Sequence, residues 1–167
     1  WTWEHQSLVR ARGVCGDAAV IKQFENLRMK QLGLKRECAA VAKDVVGMRD
    51  KMRANQKLKR AFDIKKSTGG LVDIEFMVQF LVLAHAHDHK GLMTYTDNIR
   101  ILEAAAGVQL VHAKTAKNII AIYQEYRYAL HQRMLTRMDM RDYAAEFAPS
   151  REVVANLWSK LFEASVS

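Results

Sequence analysis

Gly69-Gly70, set just ahead of Asp73 and Glu75, is where residue types and spacing in this sequence come nearest to chemistry. Glycine has no side chain to hold a neighbour away, so the pair suits a close backbone approach. If a helix opens there, its first N–H groups and the positive end of its dipole can hold an anion. Asp73 and Glu75 would repel a bare phosphate, and their plainer role is to complement the same dipole. Two residues apart on a helix, they face different sides and are poorly placed to share a metal. A second cluster, His85, His87, Asp88 and His89, offers metal-ligand types, with His85 and His89 on one helical face. Its plainer role is to meet the negative end of a helix before Lys90-Gly91. A third feature is the strip from Lys51 to Lys66, with seven basic residues against Asp63 alone. Such a strip can neutralise phosphates. It lacks interleaved aromatics beyond Phe62 and any reading helix, so a solvated or protein-facing surface is the better reading.

The elements that must carry these residues read as helices. Eight glycines and one proline are few, as long helices joined by short turns require. The pattern predicts helices over 2–14, 17–32 and 35–55, with Asp17 as an N-cap and Gly33 as a stop. The second should bury Val20, Ile21, Phe24, Leu27 and Leu32, and the third Val41, Val45, Met48 and Met52. Phe62 to Lys65 alternates as an extended segment does, and Ser67 to Gly70 is the clearest loop. Helix 71–87 is apolar on nearly every side and should be the central buried one. Asp97 should cap the next, ending at Gly107. Helix 114–137 is the longest, with a seam of Ile119, Tyr123, Tyr126, Leu130 and Met134. Ser150 should cap a last helix bearing Val153, Leu157, Leu161 and Phe162. The fold class is all-α, an antiparallel bundle of about six to seven helices.

Composition narrows the function. The 167 residues fit one helical domain, 1–167, half hydrophobic and 26% charged. A net charge of +8 favours an acidic partner: a nucleotide, a nucleic acid or an acidic protein surface. Cys15 and Cys38 are too few for a disulfide-stapled secreted fold and read as inert thiols in a reduced, cytoplasmic setting. The eight methionines are scattered and read as packing. No stretch reaches the roughly 20 apolar residues that span a bilayer, and no membrane partner is expected. The chain opens at Trp1 in a helical pattern and reads as a segment of something longer.

The order of residues adds a resemblance. The run FDIKKSTGGLVDIEF, from Phe62 to Phe76, resembles the signature of a helical domain in glutamine synthetase adenylyltransferase, the bifunctional enzyme that adds and removes AMP. There that domain follows a nucleotidyltransferase domain. Trp1-Thr2-Trp3-Glu4-His5-Gln6 and Leu8-Val9-Arg10-Ala11-Arg12 are similar to the segment just after the catalytic domain of the adenylylating half. Met48-Arg49-Asp50-Lys51-Met52-Arg53 and Asp97-Asn98-Ile99-Arg100-Ile101-Leu102-Glu103 continue the match, which weakens after about Lys114. The resemblance implies AMP transfer from ATP to a tyrosine of glutamine synthetase, with magnesium held by clustered carboxylates beside a Gly-Ser motif. This chain has no such motif, so the resemblance places ATP, magnesium and catalysis in a preceding domain and no catalytic residue, cofactor or metal here. It implies that Lys65, Gly69, Gly70, Asp73, Glu75, Asn98 and Arg100 form the face toward that domain or its nucleotide. Gly69-Gly70 would permit close contact, while Lys65 and Arg100 could pair with Asp73, Glu75 or a phosphate. Glutamine synthetase is the implied substrate protein, and the PII signal protein and glutamine are regulators that could touch this surface. A nucleic-acid-binding module and a helical metal-dependent phosphohydrolase stand as the alternatives.

Overall fold

The computed structural model describes residues 2–54, 63–136 and 143–163. Among them there are eight α-helices and no strand: α1 (Thr2–Arg10), α2 (Ala18–Leu32), α3 (Cys38–Ala54), α4 (Leu71–His85), α5 (Asn98–Gly107), α6 (Ala113–Thr136), α7 (Tyr143–Glu146) and α8 (Ala148–Glu163). A single 3-10 turn, Lys90–Met93, links α4 to α5. The helix beyond the expected seven is α7, one turn long. None of the described helices is long and apolar enough to cross a membrane.

The bundle is built around α4, which packs against α1, α3, α5, α6 and α8. Its side chains explain the position. Leu71, Val72, Ile74, Phe76, Met77, Val78 and the run Phe80 to Ala84 are all buried, so the helix has almost no face to give to water. Arrayed about it, Val41 and Val45 come from α3, Ile101 and Leu102 from α5, Ile119 and Tyr126 from α6, and Leu157 and Phe162 from α8.

Capping residues set several boundaries. Asp17 takes the N–H groups of Ala19 and Val20 at 2.9 and 3.1 Å and starts α2. Asp97 does the same for α5 through the N–H of Arg100, at 2.9 Å. Arg36 closes α2 by donating to the carbonyls of Gln31, Leu32 and Leu34. Replacing Asp17 with alanine is expected to cost about 1 kcal/mol in a urea unfolding titration, the usual worth of such a cap. An unchanged midpoint would show that α2 does not depend on it.

Several expectations need correction, among them Met52 of α3, expected on its buried side and 38% exposed. The stripe on α2 is not buried as a unit: Val20 is 62% and Leu27 55% exposed, and the inward positions are Arg28 and Leu32. The reason is Arg28, whose guanidinium donates to the carbonyls of Leu8, Val9 and Met93 at 2.9–3.0 Å. It satisfies the end of α1 and turns α2 onto that residue rather than onto its aliphatic side. The seam of α6 holds through Tyr126 and half of Leu130, but Met134 is 79% exposed. Ser150 does not begin the last helix, because Ala148 and Pro149 already stand in its first turn, where proline's missing N–H does no harm. Phe62 lies outside the described residues, and the rest of the alternating segment is a turn. There the Asp63 carboxylate accepts from the N–H groups of Lys65 and Lys66, which folds the chain back.

Candidate functional site

The turn that leads into α4 is closed by its own atoms. The N–H of Gly70 donates to the Ser67 carbonyl at 2.9 Å, that of Leu71 to Ile64 at 2.8 Å, and that of Val72 to Lys65 at 3.0 Å. The N–H of Gly69 donates to Oδ2 of Asp73 at 2.7 Å. The donors that would have received an anion are therefore already occupied, and the negative charge at this helix start is Asp73 itself. Of the two readings of this segment, the plainer one fits: Asp73 complements the helix start, and the turn is not an anion cradle.

Asp73 is fully buried, and two arginines of α3 hold it. Arg49 Nε lies 2.5 Å from Oδ1, and Nη2 of Arg53 lies 3.1 Å from both oxygens. Arg49 is buried as completely as Asp73, and its Nη2 also donates to the Lys66 carbonyl at 2.6 Å. The other side of the turn is held by α6 and α8. The Tyr126 hydroxyl donates to the Gly69 carbonyl at 2.9 Å, and burial pushes that phenol above its usual range, so it stays a neutral donor. The Arg53 guanidinium lies 5.4 Å above the Trp158 ring. Gly69, Gly70 and Asp73 thus form one buried node that ties α3, α4, α6 and α8 together. Their partners are not Lys65 and Arg100, as the sequence suggested, because Arg49 and Arg53 reach Asp73 from inside.

The remaining candidates lie elsewhere. Glu75 pairs with Arg10 of α1 at 2.8 Å, and both line a pocket of about 750 Å³ together with Lys65. Asn98 is buried and donates to the Tyr123 hydroxyl at 2.9 Å, so it faces the core and fixes a ring that borders the same pocket. Arg100 is exposed and lies 4.9 Å over the Tyr95 ring, apart from the others. Of the seven residues, the structure brings three into the node and two to the pocket, and it leaves two on α5.

Arg49, Arg53 and Tyr126 are the members of the node that reasoning from residue types missed. A signal was present: Arg49 continues the Val41–Val45 spacing of four and so occupies a core position on α3. A charge in a buried register demands a buried counter-charge. Of the basic strip, Lys57, Lys59 and Arg60 lie outside the described residues, and Arg53 turns inward to Asp73. The histidine cluster does not converge. His85 meets the edge of Phe80 at 6.1 Å, with its pKa lowered by burial and then by His89, while His87 Nδ1 sits 3.1 Å from the Gly33 carbonyl. Among the described residues no group of three His, Cys, Asp or Glu side chains could hold a metal.

Comparison with known proteins places this architecture. A family model described as GlnD PII-uridylyltransferase matches residues 42–142, more than half of the chain and the whole stretch from Arg49 through Tyr126. The chain belongs to that family. Relatives carrying another name resemble it along nearly its full length. The bifunctional glutamine synthetase adenylyltransferase/adenylyl-removing enzyme of Thioalkalivibrio sulfidiphilus is 42% identical over 98% of the chain. Proteins of the same name from Pseudomonas putida and Nitrosococcus oceani are 41% and 43% identical over 96% and 98% of it. The chain spans only 17–18% of the length of these relatives. Gly69, Gly70 and Asp73 fall within the matched family segment, whereas Arg10 and α8 fall outside it.

Proposed function

We propose that this chain is the helical domain of a glutamine synthetase adenylyltransferase and that it braces a nucleotidyltransferase domain preceding it in the same cytoplasmic polypeptide. The observation that carries this reading is identity of 42% over 98% of the chain to an enzyme of that name, of which the chain makes up 17%. The family description speaks of uridylyl transfer instead, and identity along the whole chain favours the adenylyl reading over it. In such a parent, AMP passes from ATP to a tyrosine of glutamine synthetase, with PII and glutamine as regulators. The described residues do not suit magnesium: both Asp73 oxygens are taken by N–H donors, and Glu75 is paired with Arg10. No step of the transfer is assigned to this chain, and the metal and ATP belong to the preceding domain.

Two surfaces support the bracing role. Val20 and Leu27 leave an apolar face on α2 open to solvent, and most of the polypeptide in the relatives is available to cover it. Arg100 presents its guanidinium from the exposed side of α5, where it lies over the Tyr95 ring. Arg100→Glu in the complete enzyme is expected to lower AMP transfer to glutamine synthetase at least roughly tenfold, about 1.4 kcal/mol of transition-state stabilisation. The melting temperature should hardly move, because exposed substitutions usually stay within about 0.5 kcal/mol. Parallel losses of activity and stability would show that Arg100 serves the domain alone.

A further inference from the structure

Four cations from three separate elements surround the pocket of about 750 Å³: Arg10 at the end of α1, Lys65 before α4, and Arg127 and Arg133 on α6. Among the described residues one carboxylate, Glu75, lines it. That carboxylate is spent on Arg10 at 2.8 Å, which holds the guanidinium still. Lys65 and Arg127 make no ion pair among the described residues, and Arg127 instead lies 5.8 Å over the Tyr123 ring. Gathering such charges around one cavity raises their mutual repulsion, and an anion placed among them relieves it. The cavity also has an apolar wall of Leu71, Leu130 and the Tyr123 ring, which Asn98 anchors through its hydroxyl. Its volume falls within the roughly 300–1,000 Å³ of small-molecule sites.

We propose that this pocket binds a small phosphate ester, its phosphate between Lys65 and Arg127 and its body against Leu71, Leu130 and Tyr123. The ligand class follows from the charges. A phosphate monoester carries close to two negative charges, matching the two cations without ion pairs, and its oxygens suit the arginine fork. A single carboxylate supplies half of that charge. A polynucleotide would bring further phosphates against Glu75. Nucleoside monophosphates and sugar phosphates share the required chemistry and differ in the body that meets the apolar wall.

Isothermal titration of the 167-residue chain at fixed ionic strength separates these cases, with AMP, glucose 6-phosphate, adenosine, inorganic sulfate and a short single-stranded RNA as probes. One of the two phosphate esters should bind saturably, one per chain, at least tenfold tighter than adenosine or sulfate, and the better of the two identifies the body. The double variant Lys65→Ala, Arg127→Ala should weaken that binding at least tenfold without shifting the melting temperature. Lys65→Glu alone is the second variant, with the same expected loss, should the double change disturb α6. Binding that survives these changes, esters no better than sulfate, or RNA as the only ligand would each overturn the proposal.

Discussion

Asp73→Ala is expected to remove about 3–5 kcal/mol of unfolding free energy, the usual cost of breaking a buried ion pair by deleting one partner. The loss falls mainly on Arg49. That guanidinium is fully buried, its Nη1 has no hydrogen-bond partner among the described residues, and Asp73 accepts from its Nε. Without the carboxylate, a full positive charge stays inside a core with one carbonyl, that of Lys66, to stabilise it. The Gly69 N–H also loses its acceptor. Arg53 suffers less, because its side chain is 29% exposed and can turn to water. Arg53→Ala should therefore cost about 1 kcal/mol, near the net value of an ordinary hydrogen bond. Asp73→Asn keeps the shape and one acceptor but not the charge, so it should fall between the two. Against a typical total of about 5–15 kcal/mol, the alanine change alone can leave the chain marginal. Urea titration of the three variants checks the order, and a loss below about 1 kcal/mol for Asp73→Ala would mean that the node is wet rather than buried.

That node also shows what the sequence carried and what it hid. Helix content, the central place of α4 and the caps at Asp17 and Asp97 were legible because they depend on local patterns: apolar period, glycine stops and short side chains that accept from nearby N–H groups. The partners of Asp73 were not, because Arg49 and Asp73 lie 24 residues apart and no local rule pairs them. Arg28 misled for the same reason. Its guanidinium reaches carbonyls of α1 and of the turn after α4, so a long-range polar contact overrode the apolar stripe of α2. The family resemblance drew attention to this segment without its geometry. It pointed outward from Gly69-Gly70 to another domain, whereas Tyr126 and Asp73 hold that turn from within. Lys65 and Glu75 were named as a facing pair, and they share a pocket, but Glu75 takes Arg10 from a helix more than 60 residues earlier.

Gly69→Ala is the substitution that separates an inward role for the glycine pair from an outward one, and it should cost roughly 2–5 kcal/mol. Two effects add. Gly69 has φ of +77°, a left-handed conformation that a side chain disfavours by about 1–2 kcal/mol. A Cβ there would also stand 2.6 Å from the Arg151 carbonyl oxygen and 3.0 Å from its Cα. Those are backbone atoms of α8, which cannot swing aside as a side-chain tip would, and overpacking of this kind costs about 1–3 kcal/mol. Gly70→Ala carries only the second effect: its φ is −89°, and its Cβ would meet the Ile64 carbonyl oxygen at 2.5 Å. It should therefore cost less than Gly69→Ala. Gly47 supplies the control, since it lies inside α3 and an added Cβ would meet no described residue within 4 Å outside its own helix backbone. Alanine there should stabilise by about 0.5–1 kcal/mol, because it stiffens the unfolded chain and favours the helix. Unfolding titrations of the three variants on the isolated chain give the order directly. If Gly69→Ala proved as harmless as Gly47→Ala, the turn would not be pressed against α8, and the glycine pair would again be free to meet a surface outside this domain.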